Sequence, residues 1–208
     1  MKLRGAIALA LLAVPVVAWA ATGSANAQAP GCLPTSDRTV GPHGFAGLGV
    51  KGVAPVYTNA LQLALSEGYR PAAAQREADA LTSEGFVSGT SQYYFGRTRK
   101  AHGDQGIANT LQLGSPEQAQ SEFNRILAQV LRFGPWKRFT VPAIPGSRGL
   151  RQFPNRVYPG GASNLYFTDG NYMYVLGTYV AQGGTGTGRV KKAAMNLYNR
   201  VHGAAVCP

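Results

Sequence analysis

The sequence predicts one α+β domain, an antiparallel sheet packed against several helices. Apolar residues recur at helical spacing in four separate stretches. Runs rich in Tyr, Phe, Val and Thr follow one another in pairs, as antiparallel neighbours do, rather than alternating regularly with helices. About 180 residues remain after an expected leader, enough chain for one sizeable core.

The leader comes first. Lys2 and Arg4 precede an apolar run from Gly5 to Ala21, and Ala25-Asn26-Ala27 offers the small residues a signal peptidase reads, so cleavage is expected after Ala27. Pro15 interrupts the run, which falls short of the ~20 apolar residues that span a bilayer. No transmembrane segment is therefore expected after cleavage. Ala29-Pro30-Gly31 before Cys32 lacks the aliphatic residue of a lipid-attachment signal. The chain divides into residues 1–27 (signal peptide), 28–54 (a Gly/Pro-rich arm without period 2 or 3.6) and 55–208 (the α+β domain).

Within the domain, Pro55 is read as the first residue of a helix carrying Tyr57, Ala60, Leu61, Ala64 and Leu65 on one face and ending at Gly68. A second helix starts at Pro71, turns Ala74, Ala78 and Leu81 inward, and stops at Glu84 before a left-handed Gly85. Phe86 to Phe95 and Gly106 to Leu113 read as strands. Ser115, Pro116 and Gln118 form a helix start, followed by an apolar stripe of Ala119, Phe123, Ile126, Leu127 and Val130 and a stop at Gly134-Pro135. In SNLYFTDGNYMYVLGTYV, Asp169-Gly170 predicts a two-residue type I′ turn, which would set Phe167 opposite Tyr172 and Leu165 opposite Tyr174. A last helix places Val190, Ala194, Leu197 and Val201 inward and Lys191, Lys192 and Asn199 outward.

The segments ALTSEGFVSG, LQLGSPEQAQSEF, FTVPAIPGSRG, LYFTDGNYMYVLG and LYNRV occur in an order that resembles a group of actinobacterial exported proteins and lipoproteins, over about Ala78 to Val201. The resemblance implies an antiparallel sheet with helices packed on it. It carries over no activity and no catalytic residue, and this chain lacks the lipid-modified cysteine of the lipoprotein members.

Chemical motifs are few. Ser163, Asp169 and His202 follow the chain order of α/β-hydrolase triads, but GASNL lacks the second glycine of a nucleophile elbow and PGSRG, around Ser147, lacks the first. GGTGTGRV has Arg189 and Val190 where a phosphate-binding loop requires Lys and then Ser or Thr. His43, His102 and His202 are single and distant, so no metal and no cofactor is expected. Glu77 and Asp79 are the nearest pair of acids, and both read as the solvated face of a helix. Cys32 and Cys207, near the two ends of the mature chain, are expected to pair after export.

Charge is the strongest functional cue. Loss of Lys2 and Arg4 with the leader leaves 18 cations against 9 acids, a balance of +9. Arg97, Arg99 and Lys100 follow an aromatic strand, and Arg148, Arg151 and Arg156 form a second cluster. Either set can simply keep a loop soluble, and together they can form one anion-facing surface. The expected function is a secreted or envelope-associated, non-catalytic binding protein. Its basic surface would meet an anionic polymer, a lipid headgroup or a protein, and nucleic acid is not the expected physiological partner. The alternative is a secreted hydrolase whose active site has no recognisable motif.

Overall fold

The computed structural model describes residues 32–154 and 159–206. The expected leader and its cleavage point, Arg156 and Cys207 lie outside the described residues.

An eight-stranded antiparallel sheet dominates. Its strands are β2 (Leu48–Gly49), β3 (Val56–Tyr57), β4 (Phe86–Gly96), β5 (Gln105–Leu113), β6 (Lys137–Phe139), β7 (Arg148–Gln152), β8 (Gly161–Asp169) and β9 (Tyr172–Val180). Their order is β2-β4-β5-β9-β8-β7-β6, with β3 also on β4. A separate parallel pair joins β1 (Cys32–Leu33) to β10 (Ala205–Val206). The helices are α1 (Ala60–Ser66), α2 (Pro71–Ser83), α3 (Pro116–Leu131) and α4 (Thr187–Val201). No helix among the described residues is long and apolar enough to cross a membrane. The α+β architecture expected from the sequence is the one observed.

Alternation along the strands sends side chains to two distinct cores. On one face Phe167, Tyr172, Tyr174 and Leu176 pack with Val190, Ala194, Leu197 and Val201 of α4 and with Phe45 and Leu48 of the N-terminal segment. On the other, Leu111, Leu113, Tyr166 and Met173 pack with α1, α2 and α3 through Leu63, Ala78, Leu81, Ala119 and Phe123. Residues 32–54, read from the sequence as an irregular arm, are thus tied into the core. Its Arg38 is only 1% exposed. The guanidinium donates to the carbonyls of Leu33, Ala204 and Ala205 and to the Tyr174 hydroxyl, and stacks 4.0 Å from the Tyr172 ring centre. Partners on both chain ends satisfy a charge that would otherwise be costly to bury.

Four local expectations are corrected. The first helix starts at Ala60, five residues after Pro55, because the Asn59 side chain accepts from the Gln62 amide at 3.1 Å while Val56 and Tyr57 are drawn into pairing with Thr90 and Gly89. The β8–β9 turn is Gly170-Asn171, so Phe167 faces Tyr174 and Leu165 faces Leu176. Gly170 has φ +55° and no described non-glycine residue has positive φ, a type II′ pattern with glycine in first place. The Asn171 carbonyl accepts from the Leu113 amide at 2.8 Å, which sets the turn against β5. Arg148 and Arg151 lie on strand β7, unforeseen in the sequence, instead of in a loop. Finally, Glu77 is buried rather than solvated, although Asp79 is exposed as expected.

Candidate functional site

The helices leave part of one sheet face bare. The α1–α2 pair lies against β4, and α3 lies against the hairpin end of β8 and β9. At the opposite end of the same face a cleft of about 600 Å³ opens, lined by Glu67, Tyr93, Gln105, Ile107, Asn164 and Tyr179 among others. That size and mixture suit a small ligand or one segment of a larger one. Gly177 forms part of the floor. A Cβ there would come within 2.6 Å of the Asn164 side-chain oxygen and 2.9 Å of an Ile107 methyl, so glycine preserves the depth of the cleft.

Glu67 follows the last residue of α1, and its carboxyl turns toward the sheet, accepting from the Asn109 amide nitrogen at 2.7 Å. Desolvation by burial pushes this carboxyl up to about 8, with Glu77 and Glu122 adding to the rise and Arg125 and Asn109 opposing it. Behind it, Arg125 bridges Glu122 at 2.7 Å and Glu77 at 2.5 Å. Glu122 is fully buried. One arginine thus serves two buried carboxylates, and the third stays protonated at neutral pH. Burial likewise raises the Tyr93 hydroxyl to about 12. The cleft interior is therefore polar but uncharged near pH 7.

The loop from β4 to β5 stands at the same end of the sheet. Thr98 caps a short turn of Arg99–Ala101, its hydroxyl accepting from the Ala101 amide at 3.2 Å. Asp104 is buried and accepts from the Ala181 amide at 3.0 Å and from Arg189 at 2.5 Å, which ties the loop to the end of β9 and the first turn of α4. With Asp104 so committed, Arg97, Arg99 and Lys100 make no ion pair among the described residues. Arg99, Lys100, His102, Asp104 and Gln182 surround a recess of about 280 Å³. Asp104 precedes Gln105 of the cleft but is held by Arg189 of α4, the helix on the other face, so the recess and the cleft lie at the same end of the sheet without sharing a lining residue.

The two basic clusters are not gathered into one. Strands β5, β9 and β8 lie between β4 and β7, a separation of roughly 19 Å across the sheet. Arg148 donates to the carbonyls of Gly146 and Ser147, and the Arg151 guanidinium lies 5.2 Å from the Phe153 ring centre. Arg156 is outside the described residues.

Nor is the hydrolase triad assembled. His202 Nδ1 lies 2.9 Å from Asp169, but Ser163 is buried with its hydroxyl 2.7 Å from that of Thr187. Thr187 begins α4 and His202 follows its end, so the helix length, roughly 22 Å, separates serine from histidine. In the glycine-rich segment, Gly183, Gly184 and Gly186 have positive φ and launch α4, while Arg189 is held by Asp104. Cys32 pairs with Ala205, two residues before Cys207. No described cysteine is free.

Sequence reasoning missed the cleft because its residues come from five elements with ordinary alternation. The one local signal is Glu77 and Glu122, each on the inward spacing of its helix, 74-77-78-81 and 119-122-123-126.

No protein-family model and no curated protein matches this sequence. Among solved structures, the extracellular domain of PknH from Mycobacterium tuberculosis is similar at 7% sequence identity and a TM-score of 0.45, over 74% of this chain and 81% of that one.

Proposed function

We propose that the protein is an exported, non-catalytic binding protein of the cell envelope or exterior, with its ligand site in the cleft on the bare sheet face. The observation that carries this reading is a cleft of about 600 Å³ with tyrosine and isoleucine surface and uncharged polar groups inside, at the end of the sheet where the β4–β5 loop carries unpaired cations. A matching ligand has an apolar or ring-bearing part with hydrogen-bonding groups, and an anionic group that stays outside, toward Arg99 and Lys100. An anionic envelope polymer or a lipid headgroup has this chemistry. Export rests on the leader pattern of residues 1–27.

The test is a titration with envelope polymers, acidic oligosaccharides and amphiphiles, followed by amide NMR shifts. Ligand should perturb Tyr93, Asn164 and Tyr179. Gly177→Leu, which fills the floor, should weaken binding on the order of tenfold or more. The Arg97→Ala, Arg99→Ala, Lys100→Ala variant should weaken it less and flatten its salt dependence, because only screened surface charges are removed. Shifts confined to other surfaces, or undiminished binding by Gly177→Leu, would sink the reading.

The raised Glu67 carboxyl favours a second reading, a hydrolase using it as general acid. Glu67→Gln separates the two: a binding protein keeps its ligand, whereas a hydrolase keeps the ligand and loses turnover.

A further inference from the structure

The sheet edge beyond the cleft, where Leu150 and Gln152 of β7 pair with the cleft residues Asn164 and Ala162, has a different character. Between Phe123 and Thr168 the chain has no Asp or Glu, but it has seven Lys and Arg, of which Arg125 is held by Glu77 and Glu122. That stretch holds the end of α3 and the edge of the sheet, β6 and β7. Arg132, Lys137 and Arg138 are exposed there. So are two large aromatics, Phe133 at 65% and Phe153 at 45%. The Lys137 ammonium and the Arg151 guanidinium lie 5.3 Å and 5.2 Å from the Phe153 ring centre, and Lys191 of α4 lies 5.3 Å from that of Phe139. Trp136, between Phe133 and Lys137, is partly buried, with its indole nitrogen donating to the Val130 carbonyl at 3.1 Å.

Charged residues on a short edge strand have an ordinary use, since they discourage pairing with another sheet. That explains Lys137 and Arg138. It does not explain Phe153 exposed beside Lys137, or Phe133 exposed at the end of α3. Cations without acids match an anionic surface, and exposed rings gain from a partner with an apolar layer beneath its charge. A polysaccharide or other hydrated polyanion offers only the first. Cations at headgroup level with aromatic side chains below them is the arrangement of proteins that lie on membranes. From this we infer that the β6–β7 edge docks the protein on an anionic lipid bilayer, with Phe133 and Phe153 entering the headgroup boundary and Arg132, Lys137, Arg138 and Arg151 meeting lipid phosphates.

The exported protein carries its own reporter. Of its two tryptophans Trp19 lies in the leader, so Trp136 remains alone once the leader is removed. The experiment is co-sedimentation with vesicles of phosphatidylglycerol and phosphatidylcholine in equal parts, against phosphatidylcholine alone, with Trp136 emission recorded. Binding is expected only to the anionic vesicles, with a blue shift of emission. Phe133→Ser with Phe153→Ser should reduce partitioning on the order of tenfold. Arg132→Gln, Lys137→Gln and Arg138→Gln together should reduce it roughly a hundredfold, about fivefold per charge. These side chains are exposed, and circular dichroism checks that each variant is folded. The Arg97→Ala, Arg99→Ala, Lys100→Ala variant should still bind the vesicles. Absence of binding at low salt would overturn the inference. So would binding that ignores both phenylalanines, binding lost only in the loop variant, or the same blue shift with soluble polyphosphate. None of these outcomes depends on whether the cleft holds a ligand.

Discussion

Glu67 shows how one side chain takes its chemistry from its surroundings. Its carboxyl is raised from an ordinary 4.5 to about 8, first by burial and then by Glu77 and Glu122. A group whose folded pKa lies above its unfolded value binds more protons folded than unfolded between the two. Its contribution to stability therefore falls as pH rises from about 4.5 to about 8 and is level outside that window. Glu67→Gln keeps an acceptor for Asn109 and removes the titration. The variant should gain stability relative to the parent between pH 5 and pH 8, by roughly 2 kcal/mol, since the side chain retains some contact with solvent. Urea unfolding at the two pH values measures this, and equal pH dependence in both proteins would contradict it.

At the scale of elements, the β8–β9 hairpin tests how a turn sets register. Gly170 has φ +55°, and a Cβ there would meet nothing within 4 Å. The cost of a substitution is thus conformational instead of steric. Gly170→Val should destabilise by about 1–2 kcal/mol, more than a typical surface change, and Gly170→Asn by less, since Asn tolerates left-handed backbone. A shift of the urea midpoint without a change of slope would report this. The same hairpin shows why pairing was misjudged by one turn position. Asp-Gly and Gly-Asn both make two-residue turns, and both keep Phe167 and Tyr174 on one face. What selects between them is the bond from Leu113 to Asn171, on a strand nearly sixty residues away.

Over the whole molecule, the two ends of the described chain converge. β1 and β10 pair, Arg38 holds the carbonyls of Ala204 and Ala205, and Cys32 stands opposite Ala205. We propose that Cys32 and Cys207 close this arrangement as a disulfide, which on the chain-entropy view stabilises the fold by about 5 kcal/mol. Mass spectrometry of unreduced, digested protein should recover the two peptides linked. Two free thiols in exported protein would refute the bond. With its ends clasped, the molecule presents two neighbouring surfaces, the cleft and, from the next strand outward, the aromatic β6–β7 edge. A protein that lies on a membrane by one and holds a ligand in the other uses both.

Local pattern in the sequence was sufficient for the class of fold, the Ser115 cap of α3, the inward faces of α2 and α4 and the long strands, because neighbours in the chain decide helical caps, periodicity and alternation. It also identified the basic residues, since charge is read directly. It did not show that Asn59 outcompetes Pro55 as a helix start, that Arg148 and Arg151 lie on a strand, or that Glu67, Glu77 and Glu122 meet around Arg125. Those outcomes depend on residues far apart in sequence whose hydrogen bonds and desolvation are settled together. The cleft belongs to the same class: it exists where three helices stop short of covering the sheet, and coverage is a property of packed elements that no single stretch of chain encodes.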